Sequence, residues 1–284
     1  MDGEIRGAFA PVPTPLDDDG MFDPVALERH LDWLSDEGLD GVLVLGTNGE
    51  FASLSFDERV LVARTASAAR PDLDLLLGVG SCALPEALEL TEVAAAAGYA
   101  AVLCPPPFYF RSASTAGIAA FFAAVVDRSP LPVLLYHIPQ LTGVAISDSL
   151  LTELRRLDRP AVGVKDSTGS EPEMDRLLAG DLGGCYLVGH DGLITRCLQR
   201  GGVGSISAAA NAAPRLVAEV HRDPERQSAL DAVRATLEEF GLGPAVKALL
   251  ERRGVGAYRS RPPARALDPA ARDRLFRTWD ALES

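Results

Sequence analysis

Eight short apolar runs, each followed by a longer amphipathic stretch, constrain this chain more than any other feature. They read GAFAPV, GVLVLG, LDLLLGVG, YAAVLCP, PVLLYHI, AVGVKD, CYLVGH and GVGSIS. Strands apolar on both faces must be covered on both sides, and helical stretches between them make βαβ crossovers and a parallel sheet. Eight such units predict an α/β fold, a (β/α)8 TIM barrel, which needs about 250 residues. An open doubly wound sheet would use the same alternation, but its G-x-G-x-x-G fingerprint is missing after the first strand. Asp23 before Pro24, Ser55 and Ser147 supply helix starts, and Gly38 and Gly98 supply stops. Beyond the eighth unit the strand pattern ends. The expected division is a barrel over residues 1–220 and a C-terminal helical extension packed on it over 221–284, with helical patterns in ERQSALDAVRATLEEF, PAVKALLERRG and DPAARDRLFRTWDAL.

Charge and composition narrow the partners. A net charge of −13 repels nucleic acid and anionic membrane surfaces, which leaves small molecules as the expected partners. No run of about 18 uncharged apolar residues reads as a membrane span, and the first residues lack the basic and apolar regions of a secretory signal. Cys82, Cys104, Cys185 and Cys197 show no C-x-x-C pairing and read as reduced thiols. The expected location is the cytoplasm.

In such a barrel, chemistry collects where the strands end and the βα loops converge. The sixth strand runs into AVGVKDSTGS, and Lys165 within it is one of only two lysines among 27 basic residues, the other being Lys247. Arginine stays protonated, whereas a neutral lysine amine in a partly dry pocket attacks a ketone to form an iminium, an electron sink for carbon–carbon bond cleavage. Strand alternation should turn Asp166 away from the lumen, which leaves the amine desolvated. A strand-end lysine that merely reaches solvent would use the same letters. Tyr136, in PVLLYHIP, fits proton transfer beside such an amine, or else a core tyrosine with a satisfied hydroxyl. The turn GTNGE after strand two, with Thr47 and Asn48, could cradle a carboxylate or be an ordinary Gly-Asn turn. A metal-dependent barrel enzyme would instead draw on His137, His190, Asp191, Asp166 and Glu50, although their spacing matches no recognised ligand pattern. Lys247 reads as structural or interfacial.

Taken in order, GTNGEF, YHIPQLTG, GVKDSTG, GHDG and GGVGSISAAAN resemble the dihydrodipicolinate synthase and N-acetylneuraminate lyase family of class I Schiff-base pyruvate aldolases. The resemblance implies a barrel with extra C-terminal helices, assembled as a homotetramer of tight dimers, with no cofactor beyond a covalent imine on Lys165. It implies Tyr136 as the proton-transfer residue and Thr47 and Asn48 as holders of a pyruvate-like carboxylate. Tyr109 would enter a threonine–tyrosine relay across the dimer interface, Ile206 would stand at the strand-eight substrate wall, and Gly189, Asp191 and Ser207 would meet a polyol tail. Leu141 occupies the place of the arginine that dihydrodipicolinate synthases use for the far carboxylate, which disfavours that activity. Gly192 replaces a glutamate of the sialic acid lyases. Asn48 resembles aldolases of 2-keto-3-deoxy sugar acids and 4-hydroxy-2-oxoglutarate. The resemblance therefore implies reversible cleavage of a 4-hydroxy-2-oxo acid to pyruvate and an aldehyde, with a dehydratase or deaminase of the same chemistry as the alternative.

Overall fold

The computed structural model describes residues 5–69, 73–156, 161–180 and 183–283. Strands β1 (Gly7–Pro11), β2 (Gly41–Val44), β3 (Asp74–Gly78), β4 (Ala101–Cys104), β5 (Val133–His137), β6 (Gly163–Asp166), β7 (Cys185–Val188) and β8 (Gly204–Ile206) pair in sequence order. β8 returns to β1, so the parallel sheet closes as a barrel. All eight apolar runs became strands because each is covered on both faces. Phe9, Leu43, Leu76, Leu134 and Leu187 fill the lumen, while alternate residues such as Val42, Val102 and Val164 pack under the surrounding helices. The lumen is thus a packed core, and only its rim is open for chemistry.

The helix signals act as expected. Asp23 caps Pro24–Asp36 by accepting from the amides of Val25 and Ala26. Ser55 and Glu58 form a reciprocal capping box, and Ser147 caps Asp148–Leu154 through Leu150 N. The helical patterns SFDERVLVARTASAAR and SDSLLTELRRLD end at Arg70 and Asp158, which lie outside the described residues. After β8 the chain forms helices Pro214–Val220, Gln227–Glu239, Leu242–Arg252 and Pro269–Glu283. The last three begin after the boundary expected at residue 220. Gln227–Glu239 and Leu242–Arg252 touch the barrel near its carboxyl rim, as two ion pairs described below show, and Pro269–Glu283 packs on those two helices.

Candidate active site

Register decides the centre of the site. Lys165 lies opposite Tyr136 on β5 and Leu187 on β7, so its side chain enters the lumen-facing layer. It is 3% exposed, and Nζ stands 4.4 Å from the centroid of the Tyr136 ring. Asp166 points the other way, as alternation requires, and its carboxylate accepts from the Tyr186 hydroxyl at 2.7 Å on the helix-covered side. Lys165 therefore meets an aromatic face rather than its neighbouring carboxylate.

The Tyr136 hydroxyl lies 3.3 Å from Thr47 Oγ1 and 3.4 Å from Ser167 Oγ. Burial pushes its pKa up, but the Lys165 charge and the Ser167 and Thr47 hydroxyls outweigh burial, and the phenol ends below its ordinary value. A phenol acidified in this way is prepared to hand a proton to a leaving hydroxyl. Gly189 makes the Ser167 contact possible, since a Cβ there would fall 2.1 Å from Ser167 Oγ.

The turn after β2 departs from ordinary backbone geometry. Leu45 and Glu50 adopt left-handed φ values of 56° and 51°, which cost about 1–2 kcal/mol each for residues with a Cβ. Neighbouring groups hold the turn in this shape. The Thr14 hydroxyl donates to Gly49 O at 2.8 Å, and Gly78 lets β3 approach so closely that a Cβ would sit 2.2 Å from Leu45 O. From the C-terminal helix Leu242–Arg252, Lys247 Nζ reaches Glu50 Oε1 at 2.5 Å, with Ser260 Oγ at 3.0 Å as a second acceptor. The result presents the Thr47 hydroxyl to Tyr136 and leaves Asn48 Nδ2 buried with no acceptor among the described residues. A buried donor without an acceptor is costly unless a ligand oxygen completes it.

A cavity of about 250 Å³ joins these groups. Thr47, Asn48, Tyr136, Lys165, Gly189 and Ile206 line it, each of them a residue singled out from the sequence. Three others lie elsewhere. The Asp191 carboxylate is fully buried and bonded to Arg234, and Ser207 is fully buried beside the wall formed by Ile206 and Ala208. Tyr109 is 80% exposed and stacks edge-on against Phe110, so within one chain it does not reach Thr47. Sequence reasoning also passed over residues that do line the cavity. Gln140 binds Ser167 O through Nε2 at 2.7 Å, and Arg234 arrives from the C-terminal helix Gln227–Glu239. The one available signal for Arg234 was its i,i+4 spacing from Glu238, which any solvated helix face can show.

A second cavity of about 380 Å³ shares Thr47, Tyr136, Ile138 and Leu141 with the first and is otherwise lined largely by Phe51, Pro105, Phe108 and the loop from Arg261 to Ala264. Leu141, 55% exposed, stands at the boundary of the two and offers no charge to a substrate.

Four of the five residues considered as metal ligands are committed to other partners. Glu50 holds Lys247, Asp166 holds Tyr186, and Asp191 holds Arg234. His137 Nδ1 accepts from Ile146 N at 3.1 Å, and its Nε2 faces Glu173 at 2.8 Å. Among the described residues no three His, Cys, Asp or Glu side chains gather as a metal site.

A closed eight-stranded barrel with a buried lysine and tyrosine in register at its rim frames the site, and the family to which the chain is matched makes it a carbon–carbon lyase of the Schiff-base class. Residues 4–281 match the Dihydrodipicolinate synthetase family, and the chain belongs to that family. A DapA-like lyase of Chloroflexus aurantiacus is 36% identical over 258 residues, covering 87% of this chain and 86% of that protein. A 4-hydroxy-tetrahydrodipicolinate synthase of Methanothrix thermoacetophila is 35% identical over 218 residues, covering 76% and 73%. Among solved structures, YagE, a prophage protein from E. coli K12 in complex with pyruvate, superposes with a TM-score of 0.91 at 27% identity over 99% of both chains. Enzymes of the family act through a lysine Schiff base with pyruvate.

Proposed function

We propose that this protein reversibly cleaves a 4-hydroxy-2-oxo acid, of the 2-keto-3-deoxy sugar acid or 4-hydroxy-2-oxoglutarate type, to pyruvate and an aldehyde, with Lys165 as the imine-forming residue. The observation that carries this reading is the in-register contact of Lys165 with Tyr136 beneath the Thr47–Asn48 turn.

In this mechanism the free amine of Lys165 attacks C2 of the oxo acid, and Tyr136 protonates the carbinolamine hydroxyl, which leaves as water. Asn48 Nδ2 and the turn hold the C1 carboxylate. The proton of the C4 hydroxyl passes to the Tyr136 phenolate, with Thr47 beside it. The C3–C4 pair moves into the iminium as that bond breaks, and the aldehyde departs. Protonation of the enamine at C3 and attack of water at C2 then release pyruvate and the free lysine. Tyr109 of a second copy would extend the Tyr136–Thr47 pair into a relay, and its exposure together with that of Phe110 and Leu141 supports a dimer through this face, paired again into a homotetramer. Asp191 and Ser207 take a supporting position behind the tail end of the cavity, while Gly189 and Ile206 form its walls. The thiols of Cys104 and Cys197, buried and outside any disulfide, support a cytoplasmic enzyme, and among the described residues no helix is long and apolar enough to cross a membrane.

The test is trapping. Borohydride added with pyruvate should reduce the imine and add the mass of a pyruvate-derived adduct to the intact chain, at Lys165 by peptide mapping. Release of water or ammonia from candidate substrates without pyruvate would favour the dehydratase or deaminase, and failure to trap an adduct during turnover would defeat the proposal.

A further inference from the structure

The substituent on C4 of the substrate is not set by the lysine, and the far end of the Lys165 cavity bears on it. The resemblance sends Asp191 toward a substrate tail. In the fold, however, its carboxylate is turned inward, where Oδ1 accepts from Ala209 N at 3.2 Å and Oδ2 from Arg234 Nη1 at 2.8 Å. The side chain presented to the cavity there is Arg234. Its Nε and Nη2 donate to Glu238 Oε1 at 2.7 and 2.5 Å. A guanidinium carries five N–H groups, so each terminal nitrogen keeps one donor beyond these bonds. The helix that carries Arg234 is fixed in place: Gln227 Nε2 donates to Asp191 O at 3.0 Å, and Gln227 Oε1 accepts from Thr195 N at 3.1 Å.

The charge of Arg234 is already balanced, since two carboxylates flank one guanidinium. His190 lines the same cavity and adds no positive charge at neutral pH. Burial and then the Arg234 charge lower its pKa, and its Nδ1 accepts from Gly192 N at 3.2 Å. A second carboxylate on the substrate would lose its hydration here without meeting an excess of positive charge. A hydroxyl needs only a donor, and Arg234 supplies one in a fixed place.

We propose that Arg234 is the specificity-determining residue for the aldehyde half, donating to a neutral hydroxyl oxygen beyond C4, so that the substrate class is a 4-hydroxy-2-oxo acid with a hydroxylated tail rather than one with a second carboxylate. This rests on the Schiff-base reading above.

The test compares three tails: a 2-keto-3-deoxy sugar acid, 4-hydroxy-2-oxoglutarate and 4-hydroxy-2-oxopentanoate. The wild-type protein should show its highest kcat/KM with the hydroxylated tail, by about tenfold or more. Because Arg234→Met alone would leave Asp191 buried and unpaired, it is combined with Asp191→Asn, and Arg234→Lys provides a second variant that keeps the charge and loses the fork. Both should lose about 10- to 100-fold in kcat/KM on the hydroxylated tail and change by less than about threefold on the methyl tail. The borohydride-trapped pyruvate adduct should form equally in all three proteins, which separates a failed tail assignment from a failed imine. Equal losses on the hydroxylated and methyl tails, or a wild-type preference for the dicarboxylate, would overturn the proposal.

Discussion

The two lysines of this chain occupy similar environments and make opposite contacts. Lys165 and Lys247 are 3% and 5% exposed. Lys247 is neutralised by Glu50 at 2.5 Å and has Ser260 Oγ as a further acceptor. Lys165 has a tyrosine face and, among the described residues, no carboxylate at ion-pair distance. Burial alone therefore does not make a lysine reactive. A buried lysine bonded to a carboxylate serves as a strut between segments, whereas one that meets only an aromatic face keeps its amine turned to the cavity. The strut also serves the site, because Glu50 closes the strained turn that presents Thr47 and Asn48.

Substitutions separate the two roles. The largest effect is expected for Lys165→Arg, which keeps the charge yet should reduce turnover by about a thousandfold or more and abolish pyruvate trapping, with a melting temperature close to wild type. Residual activity within tenfold would erase the distinction drawn between the lysines. Tyr136→Phe should lower kcat by about 10²- to 10⁴-fold while leaving the fold intact. It should also remove an alkaline limb of the rate profile, which in the wild type begins below the usual tyrosine range because the Tyr136 pKa is depressed. A limb unchanged in the variant would assign that ionisation elsewhere.

Lys247→Met should behave differently. Leaving the mostly buried Glu50 unpaired should cost about 2–3 kcal/mol of stability, read as a fall in melting temperature. The slackened turn should raise KM more than it lowers kcat, and Glu50→Gln in the same chain should restore part of the loss. An unchanged KM in a folded variant would show that the strut supports the fold but not the turn.

The smallest effect belongs to Arg261, which bonds Glu58 and the carbonyls of Gly20 and Ser53. The Arg261 hydrogen bond outweighs burial, which raises it, and pulls the Glu58 pKa from 4.5 down to about 2. A folded-state pKa below the unfolded value contributes stability that is present above pH 4.5 and lost as pH falls from 4.5 toward 2. Arg261→Gln should remove about 1–2 kcal/mol at neutral pH and flatten acid unfolding in that window, given the partial exposure of both groups. Identical acid unfolding curves would show that this contact adds nothing to the stability of the fold.

Much of this was legible in the chain of letters. Strand runs, caps such as Asp23 and Ser147, and the three C-terminal helices follow from periodicity and local hydrogen bonding, both of which act over a few residues. Lys165, Tyr136, Thr47 and Asn48 were legible because each sits at a strand end or in a turn whose position a barrel fixes. Arg234 was not, since it acts 43 residues away from Asp191 through a helix packed on the rim. Nor could the sequence show that Asp191 turns inward and Tyr109 outward, because both directions are set by packing around them.

What the sequence determined by itself is the order and kind of the elements and the presence of an unusual lysine at the sixth strand end, because alternation and residue chemistry are properties of short stretches. What only the tertiary structure decided is which of two buried lysines has a carboxylate partner, and which charged side chain faces the cavity. Those depend on distances between segments far apart in the chain, and Coulomb interaction, desolvation and hydrogen bonding respond to distance in space rather than to separation in sequence.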